Sequence, residues 1–355
     1  MPKDKTFIDS YDIIQQIQNI ATNLGLQQIG ITDIELQNAA IQLTEWLEHG
    51  WHGQMQFMAR HYQMRSHPAE LLPGTKSIIS AQLNYLSLPI LTQTTKLTDP
   101  NTAYIANYAL GRDYHRLFRK RLQQLAKQII NLTGPFKYRV YVDSAPVMEK
   151  PLAAKAGLGW IGKHTNLVNR NTGSWFFLGE IYTDLSLPTT MPASNHCGSC
   201  QTCIAACPTG AIIAPYKLDA RRCIAYLTIE EPGVIPITLR SYIGNRIFGC
   251  DDCQHVCPWN RFAAFTTEPD FKPRSALHPA QLIDLFAWSE AEFLKYTEGS
   301  AIRRLGWIRW LRNIAIALGN APPTPEIIAA LQRRLIHPNA LVQHHVEWAL
   351  AQHIR

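Results

Sequence analysis

Ile13, Ile14, Ile17, Ile20, Ala21 and Leu24 recur at three- and four-residue spacing and predict a helix, with Ser10 placed to cap it and Gly25 to stop it. Gln27 to Thr32 then reads as a short strand, and a second helix covers roughly 35–49 before Gly50. Apolar-rich runs at 77–86, 138–143 and 175–182 predict further strands, with helices near 113–131 and 147–156. Helices and strands mixed in this way over residues 1–185 predict a layered α/β domain. Near the other end, Leu305, Ile308, Leu311, Ala315 and Leu318 form a stripe on a helix starting near Ala301. Residues 325–336 and 340–353 read as a helix pair joined by His337-Pro338-Asn339. Residues 271–355 are therefore expected to be wholly helical, in the manner of HEAT-type repeats.

Between these regions the pattern changes from periodicity to cysteine spacing. All eight cysteines fall between Cys197 and Cys257. Cys197, Cys200, Cys203 and Cys207-Pro208 spell C-x2-C-x2-C-x3-C-P, the run of two-cluster ferredoxins. Cys250, Cys253 and Cys257-Pro258 repeat its second part, but Ile247 stands where a fourth cysteine would be. Cys223 supplies the missing thiol from upstream. The fourth cysteine of such a run ligates the other cluster. One cluster is thus expected on Cys197, Cys200, Cys203 and Cys257, the other on Cys207, Cys223, Cys250 and Cys253. Zinc sites would want separated C-x2-C pairs, and disulfides would not need this run with its prolines. Two [4Fe-4S] clusters are expected in a ferredoxin-like module over residues 186–270, entered after the linker between Pro188 and Pro192.

Composition points to a reducing compartment. The polar start, residues 1–5, carries no apolar signal core, and no apolar run approaches the ~20 residues of a membrane span. The expectation is a cytoplasmic protein with no membrane partner. Net charge is +7, and residues 301–355 hold seven arginines against Glu326 and Glu347. A basic end of this kind suits an anionic partner such as nucleic acid. Arg309 and Arg312, three apart, would share one helix face and reach phosphates; the alternative is that they pair with Glu298 or face solvent.

Gly157-Leu158-Gly159-Trp160-Ile161-Gly162 matches G-x-G-x-x-G but follows a helix instead of opening one, so it is not read as a dinucleotide fingerprint. Gly157 is expected to end that helix, and Lys163-His164-Thr165-Asn166 to form a polar, cofactor-lining loop. There is no Walker A sequence. Asp143 ends a predicted strand, at the edge where α/β active sites form. It is a candidate catalytic carboxylate, or else a cap for the next helix, a job Ser144 could also do. His115 reads as a surface helix histidine.

Taken together, Val142-Asp143-Ser144-Ala145-Pro146, Ala156-Gly157-Leu158-Gly159-Trp160-Ile161-Gly162-Lys163, Tyr226-Leu227-Thr228-Ile229-Glu230 and the split cysteine set resemble the epoxyqueuosine reductase family. So do Tyr108-Ala109-Leu110-Gly111-Arg112-Asp113-Tyr114-His115 and the stretch from Gly249 to Asn260. The resemblance spans roughly residues 10–350. It implies a cobalamin enzyme that reduces the epoxide of epoxyqueuosine, at the wobble position of a tRNA anticodon stem-loop, to the alkene of queuosine. It also implies an N-terminal cobalamin-binding domain holding cob(II)alamin, with Asp143 as proton donor. Arg60, Asp143, Lys163, His164, Thr165, Leu167 and Ala225 are then the expected cofactor contacts. Ala225 stands where the family usually has serine or threonine. D-x-H-x-x-G, which supplies a histidine to cobalt, is absent: Asp113-Tyr114-His115 begins it, but Phe118 replaces its glycine. The clusters would pass electrons singly from an external donor such as flavodoxin or ferredoxin, and the chain would act as a monomer. A free aspartate has a pKa near ~3.9, so a donor at this position needs burial or a neighbouring anion to keep its proton. The competing readings are a reductive dehalogenase-like cobalamin enzyme on a small molecule, and a ferredoxin-type electron carrier with no substrate. The basic C-terminal helices speak against the first, the long domain ahead of the cysteines against the second.

Overall fold

The stripe of isoleucines forms the first helix, Ser10–Asn23, with Ile17 and Ala21 fully buried. The computed structural model describes residues 10–90, 95 and 97–354; residues 1–5 and Arg355, on which part of the charge and leader expectations rest, lie outside them, as does the Ser10 side chain. The chain divides into two compact units. The first comprises residues up to 49, 57–84 and 115–199; the second comprises 50–56, 85–114 and 200–355.

The first unit is built on a four-stranded sheet in the order Gln28–Thr32, Ser77–Asn84, Phe176–Thr183, Tyr138–Tyr141. Every pairing is antiparallel. That alters the expected layered α/β domain: helices and strands do mix, but the sheet offers no parallel switch point, so the strand-edge argument for Asp143 does not apply. Both middle strands are buried along their whole length, because helices cover the sheet. The helix Tyr114–Thr133 packs Phe118 and Leu122 against Gly179, where any Cβ would stand 2.8 Å from Leu122 Cδ1. Phe118, the residue that breaks the cobalt-histidine motif, is thus a core anchor, fully buried.

The segment expected to be a linker is fastened down. Thr190 N–H donates to the Ile31 carbonyl at 2.8 Å, and the first unit runs on to Ser199. Cys197 therefore belongs to the first unit and the other seven cysteines to the second.

The second unit joins what the sequence separated into a cluster module and a helical region. Ile247 and Phe248, beside the second cysteine run, share one core with Leu285, Phe286, Trp310, Leu311, Ile314 and Val346 of the C-terminal helices. Residues 200–270 bury too little apolar surface alone, so they use the helices as their core. Arg246–Phe248 also pairs in parallel with Tyr104–Ile105. The C-terminal helices are Leu282–Ala287, Glu290–Tyr296, Trp307–Asn320, Pro325–Arg334 and Ala340–His353. The helix expected from Ala301 begins instead at Trp307: Ala301–Leu305 is a 3-10 turn, and Gly306, at φ +80°, breaks the chain between them. No helix among the described residues is long and apolar enough to cross a membrane.

Candidate active site

Asp143 sits in a strained turn just beyond the strand Tyr138–Tyr141. Its φ is +51°, a left-handed conformation that a residue with a side chain rarely adopts. Ser144 N–H donates to the Val142 carbonyl at 2.6 Å, closing a three-residue γ-turn around it. The next helix is Glu149–Lys155, and its N-cap position, Met148, makes no side-chain capping bond. Neither Asp143 nor Ser144 caps that helix. Instead Glu149 reaches back, and its Oε1 accepts the Asp143 N–H at 2.6 Å. The Asp143 side chain is 55% exposed, so the carboxyl meets solvent.

Four ionisable side chains surround it. His115 Nε2 lies 3.2 Å from Asp143 Oδ2, with its own side chain only 12% exposed. It is not the surface histidine the helix pattern suggested, because the helix Tyr114–Thr133 starts against the sheet. Burial, helped by the charge of Asp143, pushes the Glu149 carboxyl up to about 8. Glu180, fully buried in the central strand, is pushed well above the carboxylate range by burial, then by Glu149 and Asp143. Arg65 faces the group, its guanidinium pulled down by burial and pushed back by Glu149 and Asp143. The arrangement is one solvent-reaching carboxyl backed by two that retain protons. Sequence reasoning missed Glu149 and Glu180. Glu180 had a legible signal, an ionisable residue within an otherwise apolar strand run.

The G-x-G-x-x-G stretch is a helix stop, as its position after a helix implied. Leu158 N–H donates to Ala153 and Gly157 N–H to Ala154, with Gly157 at φ +79°. A hairpin of Trp160–Ile161 and Leu167–Val168 follows, its loop closed by Thr165 N–H to the Gly162 carbonyl at 2.8 Å. Thr165 is the second strained residue, at φ +68°, and Lys150 Nζ holds its carbonyl at 2.9 Å. His164 is buried and kept neutral, pulled down to about 4 by burial and then Lys150; its Nε2 meets no hydrogen-bond partner among the described residues. Lys163 Nζ donates to the Gly198 carbonyl at 2.6 Å. Arg60 is exposed at the end of a one-turn helix. Leu167 turns its side chain into the core with Ala153, Ala156 and Phe176, so only its backbone can meet a ligand. Ala225 lies in the second unit, on the helix Ile224–Ile229 that follows Cys223.

None of the eight cysteines is joined in a disulfide. Burial raises Cys250 and Cys253 well above the ordinary thiol value; the thiol of Cys223 acts on both, and those of Cys207 and Cys203 act on Cys253. Cys223 thus comes back to Cys250 and Cys253. The intervening loop is pinned by Asp251, whose Oδ2 accepts from Tyr104 Oη, Asn107 N and Asn107 Nδ2 at 2.8–2.9 Å. Arg246 clamps Asp252 at 2.6 Å. No group of three or more His, Cys, Asp or Glu among the described residues could hold a single metal ion, whereas a cluster is ligated at four separate irons.

The expected RNA-binding pair is a correction. Arg312 is fully buried, and its guanidinium donates to the carbonyls of Glu231, Gly233 and Leu227 and to Asn313 Oδ1. Arg309, half-buried, donates to the carbonyls of Leu305, Ile229 and Arg304. Neither pairs with Glu298 and neither presents donors to a phosphate, because this helix packs neighbours on both the arginine and the leucine faces. Arg334 similarly donates to Phe286 and Trp288.

Residues 65–144 match the family model described as epoxyqueuosine reductase QueG, DUF1730, and residues 196–260 match a 4Fe-4S double cluster binding domain. Curated relatives named epoxyqueuosine reductase include that of Xanthomonas campestris pv. campestris, 57% identical over 97% of each chain. That of Escherichia coli K12 is 53% identical over 98% of this chain and 91% of its own. The chain belongs to the epoxyqueuosine reductase family. Among solved structures of the family, one holds an epoxyqueuosine-modified tRNA-Tyr stem loop; it matches at a TM-score of 0.87 and 27% identity, covering 97% of this chain and 91% of that one. The Bacillus subtilis epoxyqueuosine reductase, described with its catalytic aspartate loop swung out of the active site, matches at 0.85 and 27% over the same shares.

Proposed function

We propose that this protein reduces the epoxide of epoxyqueuosine at the tRNA wobble position to the alkene of queuosine, with Asp143 as the proton donor. Near full-length identity to epoxyqueuosine reductases supports the reaction. The observation that carries the donor is the Asp143 turn: a carboxyl on a strained, exposed loop, backed by carboxyls that hold protons. An alkoxide formed on opening the epoxide needs a proton from a group within reach, and Asp143 is the one that meets solvent.

Cob(II)alamin is the cofactor of this reading. Its fit rests on the orphaned, buried Nε2 of His164 and the strained Thr165 beside it, in a loop whose turn Lys150 holds. Lys163, His164, Thr165 and the Leu167 backbone would hold it, with Arg60 and Ala225 as further contacts. His115 is turned toward Asp143 and would serve that carboxyl rather than hold the cofactor. Bound cobalamin would supply the carbon–oxygen bond chemistry, and two [4Fe-4S] clusters would supply electrons one at a time. One cluster would use Cys197, Cys200, Cys203 and Cys257, the other Cys207, Cys223, Cys250 and Cys253. The partners are a tRNA anticodon stem-loop and a one-electron donor such as flavodoxin or ferredoxin, met by a monomer in the cytoplasm.

Asp143→Asn tests the donor. Fold, iron content and corrinoid absorption should stay at wild-type values while turnover drops about 10²–10⁴-fold, the usual worth of a general acid. A loss below tenfold would remove Asp143 from the chemistry.

A further inference from the structure

Reducing an epoxide to an alkene consumes two electrons and two protons. The first carbon–oxygen bond breaks with a proton delivered to the oxygen; the second breaks as that oxygen takes another proton and leaves as water. The electrons come singly from the external one-electron donor by way of the clusters. Asp143 can carry one proton at a time, so something must reload it within each turnover.

We propose that Glu149 and Glu180 form a proton store behind Asp143 and reload it, so that both protons leave through the same carboxyl. This rests on Asp143 being the donor. Glu149 is joined to the turn directly, its Oε1 at 2.6 Å from the Asp143 nitrogen. Glu180 lies deeper, with Tyr141 of the Asp143 strand opposite it in one direction and Ser80 in the other. It is fully buried, and neither of its carboxylate oxygens has a hydrogen-bond partner among the described residues. An ionised carboxylate in that position would be stranded without donors, so the group is held protonated. A fold that wanted only packing there would use an apolar residue, as the strand does at Phe177, Leu178 and Ile181.

The surroundings let the store discharge as well as fill. Arg65, Lys150 and His115 face Glu149 or Asp143 and favour their charged forms. Tyr182 and Tyr141 stand on the same side of the sheet core, buried phenols that stay protonated. Glu149, pushed up to about 8 by burial and then by the charge of Asp143, is protonated at neutral pH, while the Asp143 N–H, Lys150 and His115 favour its release.

The test uses holoenzyme carrying Glu149→Gln or Glu180→Gln. Glutamine keeps an acceptor for the Asp143 N–H, so the turn stays in place while the stored proton is lost. Multiple-turnover kcat should fall about tenfold or more in each variant, toward the lower end of what general acids contribute, with the KM for tRNA unchanged. Wild-type turnover should decline as pH rises through about 8, where Glu149 empties; Glu149→Gln should lack that limb. Infrared difference spectra in H2O and D2O give a readout independent of turnover: a protonated-carboxyl band at neutral pH that titrates near 8 in the wild type and is missing in Glu149→Gln. Wild-type kcat and pH profile in both variants would show that water or His115 reloads Asp143, and would overturn the store. Absence of the band from wild-type protein at neutral pH would overturn it too, even if Glu180→Gln failed to fold. A silent Asp143→Asn would instead sink the donor assignment beneath it.

Discussion

Arg312→Ala is the substitution that best separates a structural arginine from an RNA-binding one. The side chain has no exposure and fans its five donor contacts over four acceptors: the carbonyls of Glu231 at 2.6 Å, Gly233 at 2.8 Å and Leu227 at 2.9 Å, and Asn313 Oδ1, met by two nitrogens. Truncation strands all four. The Glu231 and Gly233 carbonyls lie near enough to the surface to recover water. Those of Leu227 and Asn313 do not, and each stranded buried acceptor costs about 1–3 kcal/mol. The expected loss is therefore about 2–6 kcal/mol, a large part of a typical folding free energy of ~5–15 kcal/mol. Burial already pulls the guanidinium down to about 9, with Arg309 adding to it, so the charge is tolerated only because the acceptors surround it. Leu227 belongs to the helix Ile224–Ile229, which begins directly after Cys223, so the damage should spread toward the cysteine that returns to the second run. Denaturant melts of anaerobic holoprotein measure the loss, and hydrogen exchange over residues 224–233 locates it. Affinity for tRNA, titrated against salt, should keep its wild-type slope. A stability loss below about 1 kcal/mol, together with a slope shallower by about one unit, would mean that Arg312 meets a phosphate after all.

Cys223→Ser should leave about four of eight irons in anaerobically reconstituted protein, since a four-iron cube with one thiolate missing is the one to be lost; full iron content would break the assignment of this displaced ligand. The pH dependence of stability follows from Glu149. Its folded pKa of about 8 lies above the ordinary 4.5, so the folded state holds a proton that the unfolded chain releases. The stabilisation is complete below about 4.5 and is lost as pH rises toward about 8, by at most ~1.4 kcal/mol per pH unit for one proton. Melting temperature should fall over that window in the wild type and fall less steeply in Glu149→Gln; parallel curves would refute it.

Local sequence determined a great deal here, for physical reasons that act over a few residues. Helix and strand periods placed the elements of the first unit to within a few residues, because a buried face must recur every 3.6 or 2 positions. Cysteine spacing pointed to the clusters, and counting thiols picked out Cys223 although it stands far from both runs. A glycine run following a helix was legible as a stop, because the Schellman bonds of Gly157 and Leu158 need only the preceding turn. Tertiary structure decided what depends on a second partner. Periodicity put Arg312 on the face opposite the leucines, but residues 310–319 are buried on every side, so that face meets the segment 227–233 instead of water. The carboxyl group of the active site has the same origin. Asp143, Glu149 and Glu180 are spread over 38 positions, and they meet because an antiparallel register sets Tyr141 opposite Glu180. Strand order and register are fixed by packing between distant segments, and no local pattern along the chain encodes them.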